Sequence, residues 1–185
     1  MNYKISIKIF VIAIFIIIGG YFISKKYFSP REYISQGSAG KINFPQLTLY
    51  HPASWTVTED ANIQKGADKI VFKKSNFTLT LDQSLLAGPG DCQFKDSPKS
   101  LAPSRDLTGA KYVELDSQFG HLRYFVIPTD SVTSNTTYGF CLRKEGTQNE
   151  YGTPSIGYIS IEINGSDNAE LFQEALTIIK NIKPI

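Results

Sequence analysis

Apolar and polar positions divide this chain into an uninterrupted apolar run, an alternating middle and a helical end. Residues 9–23 are apolar almost throughout, whereas the middle alternates with the period of two that half-buried strands show. Leu171, Ala175, Ile178 and Ile182 then recur at helical spacing. The pattern predicts an α+β fold, in which an antiparallel sheet of about seven or eight strands is packed by a C-terminal helix and preceded by an N-terminal transmembrane helix. The predicted strands are 44–50, 55–58, 69–73, 77–82, 111–116, 121–127, 137–143 and 156–163.

Turn and capping residues refine the two ends of this domain. His51–Ser54 reads as a turn that joins the first two strands in a hairpin. Asp167, with Glu170 three residues later, predicts a capping box at the start of the helix. Pro184 marks the helix end.

The apolar run has the composition of a membrane anchor. Ile9–Ser24 carries no charge, and extending the segment back to Ile5 covers about 30 Å as a helix, the thickness of a hydrocarbon core. Lys8 lies near the end, where it can reach the headgroups. A cleaved signal peptide and a buried soluble helix are the alternatives, but bulky residues stand where a cleavage site needs small ones.

This run sets the predicted domain organisation. Residues 1–24 form the anchor, 25–40 a flexible tether and 41–185 one domain. Basic residues flank the run on both sides without a strong bias, so orientation rests on the short N-terminal flank, which usually stays inside. We therefore predict a single-pass cell-membrane protein whose C-terminal domain lies outside the cytoplasm.

The net charge of +2 arises entirely from the membrane flank. Residues 1–31 hold five Lys/Arg and no Asp/Glu, so the remaining 14 Lys/Arg against 17 Asp/Glu leave the domain at −3. A weakly acidic domain with mixed signs argues against a nucleic-acid partner.

Cys92 and Cys141 are the only cysteines, and in an exported domain such a pair predicts a disulfide bond. Two unrelated buried thiols are the alternative. Cys92 lies within residues 86–110, a segment rich in Gly and Pro that is long for a structureless loop and therefore a candidate binding loop. Its candidate residues are Gly88, Pro89, Gly90, Asp91 and Phe94, with residues 144–155 as the neighbouring loop.

Catalytic residues are few. Cys141, His121 and Arg143 contain the elements of a sortase-like transpeptidase, which needs a thiolate activated by an imidazole. However, Thr137-Tyr138-Gly139-Phe140 precedes the cysteine where that family has Thr-Leu-x-Thr. A disulfide at Cys141 would exclude this alternative. No metal or cofactor motif occurs.

Tyr50-His51-Pro52 followed by Trp55, together with the closing IIKNIKP helix, resembles the PsbP-like group, which includes exported and membrane-attached bacterial proteins. The resemblance covers roughly residues 44–185. It implies an antiparallel sheet with helices, a structural role for Pro52 and Trp55 in the first hairpin, and non-catalytic binding of an unidentified protein or envelope partner. A purely structural role in the envelope is equally compatible with these residues.

Overall fold

The computed structural model describes residues 30–37, 44–62, 67–83, 90–98, 105–127 and 135–185. The predicted membrane anchor, residues 1–24, lies outside these ranges. Within them, no helix is both long and apolar enough to cross a membrane.

The described part of the chain is mostly β-sheet with one C-terminal helix, which confirms the predicted α+β class. It contains thirteen strands rather than the seven or eight predicted. The elements are β1 (Pro30–Ile34), β2 (Leu47–Pro52), β3 (Thr56–Asn62), β4 (Ala67–Lys74), β5 (Phe77–Gln83), β6 (Asp91–Phe94), β7 (Arg105–Leu107), β8 (Tyr112–Ser117), β9 (Gly120–Ile127), β10 (Asn135–Arg143), β11 (Tyr151–Gly152), β12 (Tyr158–Asn164), α1 (Ala169–Lys180) and β13 (Lys183–Pro184).

Ten strands form one large sheet in the order β3-β4-β5-β12-β10-β11-β6-β7, with β9 on the other side of β10 and β8 beyond β9. Neighbouring strands are antiparallel except for the parallel pair β6–β7. β10 lies at the centre, because its first half pairs with β12, its last two residues pair with β11, and its other edge pairs with β9.

A smaller sheet, β1-β2-β13, holds residues that the sequence assigned to the tether. Pro30–Ile34 pairs with β2, and Ser35, which is 1% exposed, exchanges two hydrogen bonds with the backbone of Leu47. PREYI contains Pro and charged residues and has no strong apolar alternation, so its strand conformation depends on pairing with β2. Residues 30–37 therefore belong to the domain.

β2 and β3 also differ from the prediction, because they lie in different sheets and do not form a hairpin with each other. The chain turns at Pro52, whose carbonyl accepts the N–H of Trp55 at 3.0 Å. Trp55 is 2% exposed and lies in the main core. β6, β7, β11 and β13 are two to four residues long, too short for alternation to reveal.

Helix α1 covers one face of the large sheet. Asn168, rather than the predicted Asp167, caps it by accepting the N–H groups of Glu170 and Leu171. The predicted apolar face is buried at Leu171, Ala175, Leu176, Ile178 and Ile179. Glu174 joins the helix to the turn between β2 and β3 and to the end of β4. It accepts the indole N–H of Trp55 at 2.6 Å and pairs with Lys74 at 2.7 Å.

Candidate binding surface

A second, smaller core lies on the face of the large sheet that α1 does not cover. Adjacent residues of a strand point to opposite faces, so Phe140 joins the main core while Cys141 joins the second one. The six buried residues of the second core are Cys92, Phe94, Leu107, Phe125, Cys141 and Tyr151. β6 and β7, within the predicted loop 86–110, supply half of them, so the described parts of this segment are packed against the sheet.

Cys92 and Cys141 form a disulfide bond, which confirms the predicted pairing. It joins β6 to the central strand β10 across a sequence separation of 49 residues, with the two Cα atoms 6.4 Å apart. The sulfur of Cys141 is therefore not free for the thiol chemistry considered above. His121 is held instead by carboxylates, with Nδ1 at 2.7 Å from Asp116 and Nε2 at 3.7 Å from Glu114.

Arg123 fastens the segment after β6 to the same face. Its side chain is 3% exposed, and its guanidinium makes two 2.7 Å hydrogen bonds to Asp96 and one of 3.1 Å to Glu114. The guanidinium carbon lies 4.0 Å from the ring centre of Tyr112 and 4.2 Å from that of Tyr151. These hydrogen bonds hold the pKa of Asp96 below its ordinary value. The bidentate Arg123–Asp96 pair, with the guanidinium enclosed by aromatic rings, therefore holds Asp96 in one position and orientation.

We expect Arg123→Ala to lower the free energy of unfolding by roughly 2–3 kcal/mol. The variant leaves a gap among Tyr112, Tyr151 and Phe94 and removes the partner of two carboxylates, which keep some access to water. Urea unfolding of the full chain in detergent measures the loss. Arg143→Ala, at an exposed position of the adjacent strand, is the matched control and should change stability by less than about 0.5 kcal/mol. Equal effects of the two variants would contradict the structural role of Arg123.

The two loops predicted as a binding surface meet directly. Asp91 is the cross-strand partner of Gly152, and Cys92 that of Tyr151. The N–H of Thr153 donates to the carbonyl of Gly90 at 2.9 Å. A Cβ at position 152 would lie 2.8 Å from that same carbonyl oxygen, so only glycine permits this approach.

Two clefts open along this junction, and Lys144 lines both. The smaller has a volume of about 230 Å³ and lies between Asp91, Gln93, Pro98 and Glu150. Its salt bridge from Lys144 to Asp91 measures 2.8 Å, and this hydrogen bond raises the pKa of the Lys144 amine. The larger has a volume of about 740 Å³ and is lined by Gly90, Phe119, Gly120, His121, Leu142, Arg143, Lys144, Glu145, Gly146, Thr147, Gly152, Thr153 and Ser155.

The structure distributes the predicted loop residues between surface and core. Gly90 is exposed and lines the larger cleft, and half-buried Asp91 lines the smaller one. Phe94 is fully buried and stacks edge-on against Tyr112, Phe125 and Tyr151, so its side chain packs the second core. Gly88 and Pro89 lie outside the described residues. Sequence reasoning missed Arg123; the only local signal was its position two residues before apolar Phe125 on one strand face.

Within the described ranges, no group of three or more His, Cys, Asp or Glu is arranged to hold a metal ion. The chain matches no known family model, no curated protein and no solved structure.

Proposed function

We propose that this chain is a membrane-anchored, extracytoplasmic binding module that holds a protein or another envelope component in the two clefts beside β6. The observation that carries the proposal is the junction of β6 with residues 144–153, which is formed by β6–β11 pairing and bordered by clefts of about 230 and 740 Å³. The Cys92–Cys141 bond holds β6 of this junction to the central strand β10. The apolar run at residues 9–23 supports the anchor, and the disulfide is typical of an extracytoplasmic domain.

The lining of the larger cleft combines charged groups with apolar surface from Phe119 and Leu142. The larger one exposes charged Arg143, Lys144 and Glu145 beside backbone at Gly90 and Gly146. Its volume is within the usual range of ligand clefts, about 300–1,000 Å³. Residues held by a disulfide and by strand pairing lose little conformational entropy on binding, which favours affinity. The partner-binding role implied by the PsbP-like resemblance agrees with this proposal.

A photo-crosslinking amino acid at Thr147 tests the site in the full chain, in the membrane of its native cell. We expect one discrete crosslinked product from position 147 and none from the control position Thr58, which is exposed on β3. Deletion of residues 86–110 is unsuitable, because it removes Phe94 and Leu107 from the second core.

Charge reversal then tests the chemistry of the site. Arg143→Glu should reduce the crosslinked product by at least about fivefold, equivalent to about 1 kcal/mol of binding free energy. Lys73→Glu, an equal charge reversal at an exposed position on β4, should leave the yield unchanged. Equal crosslinking from positions 147 and 58, or equal loss in both charge variants, would contradict the proposed surface.

A further inference from the structure

The outer face of the small sheet carries an unusual combination of exposed side chains. Side chains of alternate residues share a face, so exposed Pro30, Glu32 and Ile34 of β1 lie beside half-buried Tyr50 and buried Thr48 of β2. Lys183 is the cross-strand partner of Thr48, and the N–H of Ile185 donates to Gln46, which continues this register. Ile34 is 56% and Ile185 is 68% exposed, whereas the opposite face of β2 buries Leu47 and Leu49 completely.

The polar groups on this outer face are arranged around Tyr50. Its hydroxyl donates to Glu32 at 3.3 Å, and the amine of Lys183 lies 5.8 Å from the centre of its ring. Tyrosine and lysine beside exposed isoleucine are the residues that suit the boundary between lipid headgroups and acyl chains, because each combines an apolar body with a polar tip.

The length of the connecting chain indicates what this face meets. A tether of residues 25–40 would allow the domain to move about 55 Å from the membrane. Because Pro30 already begins β1, only residues 25–29 separate it from Ser24, the last residue of the uncharged segment. Six peptide steps span at most about 20 Å, so Pro30 and its face are held close to the bilayer that contains the anchor.

We propose that the outer face of the small sheet rests on the membrane surface, with Ile34 and Ile185 entering the headgroup region and Tyr50 and Lys183 at the lipid–water boundary. The inference rests on the proposed anchor. The membrane occupies this face in preference to a free partner because the short connection keeps its local concentration high. Lys25 and Lys26 immediately before the domain add attraction to anionic lipid.

Depth-dependent fluorescence quenching tests this arrangement in the full chain, reconstituted into phosphatidylcholine–phosphatidylglycerol vesicles with a headgroup-attached quencher. The native cysteines are bonded to each other and buried, so a dye attached to Ile34→Cys or Ile185→Cys reports a single position. Val126→Cys is the matched control, since Val126 is an apolar side chain of comparable exposure, 49%, on β9 of the large sheet.

We expect quenching at positions 34 and 185 to be at least about threefold stronger than at 126, and Ile185→Asp to weaken it at position 34. Equal quenching at all three positions in a chain that resists alkaline carbonate would overturn the inference while leaving the anchor in place. Carbonate extraction of the chain would instead refute the anchor, and the inference with it. Crosslinking between two Ile34→Cys chains without quenching would overturn the inference by assigning the face to a second copy.

Discussion

Replacing both Cys92 and Cys141 by alanine is expected to lower the free energy of unfolding by about 4 kcal/mol. The bond closes a loop of 49 residues, and the chain-entropy model assigns about that stabilisation to a crosslink of this length. Both side chains are also buried, at 4% and 1% exposure, so their loss leaves small gaps in the second core. An effect of this size is a large fraction of the 5–15 kcal/mol typical of a domain.

Trp55 gives a direct measurement of this loss. It is the only tryptophan and is 2% exposed in the main core, so its fluorescence reports global unfolding of the full chain in urea and detergent. Reduced wild type is the control that keeps both sulfur atoms but lacks the crosslink, and it should lose nearly as much stability as the double variant. A loss below about 1 kcal/mol in both would contradict the crosslink contribution.

Hydrogen exchange should show where the same variant is weakened. We expect the largest increases in exchange in β6, which the bond connects to the central strand, and in β11, which lies between β6 and that strand. Helix α1 packs in the main core, on the other face of the sheet. Its amides should therefore still exchange only through global unfolding of the variant. Uniform loss over both cores would indicate that they unfold together.

Raising the pH from 5 to 8 is expected to destabilise the wild-type chain, and Asp68→Asn should remove most of this effect. Asp68 is completely buried. Among the described residues, neither of its carboxyl oxygens makes a hydrogen bond of normal geometry. Burial and the neighbouring carboxylate of Glu59 raise the pKa of Asp68 to about 7, although the N–H groups of Gly37 and Lys69 oppose the shift.

A proton kept on Asp68 allows this buried carboxyl group to lie beside Glu59. Glu59 already accepts the hydroxyl of Tyr33 at 2.6 Å and the N–H of Gln36 at 2.7 Å. A protonated Asp68 supplies a further donor to it, whereas two ionised carboxylates repel each other. Gln83, the cross-strand partner of Asp68, donates its amide to Pro45 and Ile156. The carboxyl pair thus connects β1 to the large sheet.

The sign of the pH effect follows from proton linkage. The folded chain keeps the proton on Asp68 up to about pH 7, whereas the unfolded chain releases it near pH 4. Protonation therefore stabilises the folded state between these values, and the free energy of unfolding falls by up to about 1.4 kcal/mol per pH unit before levelling off above pH 7. Asp68→Asn has no such proton to lose, and its amide can donate to Glu59.

Urea unfolding at pH 5, 6, 7 and 8 measures the difference between wild type and Asp68→Asn. Groups other than Asp68 are present in both chains, so their contributions to the pH dependence cancel in this difference. Asp60→Asn, at an exposed position beside Glu59 on β3, is the matched control and should keep the wild-type slope. An unchanged slope in Asp68→Asn would contradict the assignment of this proton to Asp68.

The elements with clear periodicity were predictable, while the short ones were not. The alternation of Phe77–Gln83 predicted β5 almost to the residue, and the helical spacing from Leu171 onward predicted α1. Residues 86–110 read as a loop because Asp91–Phe94 and Arg105–Leu107 are too short to show a period. Their strand conformation depends on pairing with distant segments, which no local window contains.

The candidate site also has features that were predictable from the sequence and features that were not. The Cys92–Cys141 pair was predictable, because only two cysteines occur and the apolar run suggests export. Gly90 and Asp91 were predicted beside the 144–155 loop, and β6–β11 pairing brings the two together. Burial of Phe94 and the enclosure of Arg123 were not predictable, since residues from β6, β8, β9 and β11 create them jointly.

The sequence by itself determined the α+β class, the C-terminal helix and the disulfide partners. The spacing of apolar residues and the number of cysteines can be read from the chain without knowing which distant segments come together. Only the tertiary structure decided that Pro30–Ile34 belongs to the domain, that β2 and β3 lie in different sheets and that Asp68 faces Glu59. Each of these depends on which distant segments meet, because burial and strand pairing stabilise conformations that the local residues leave open.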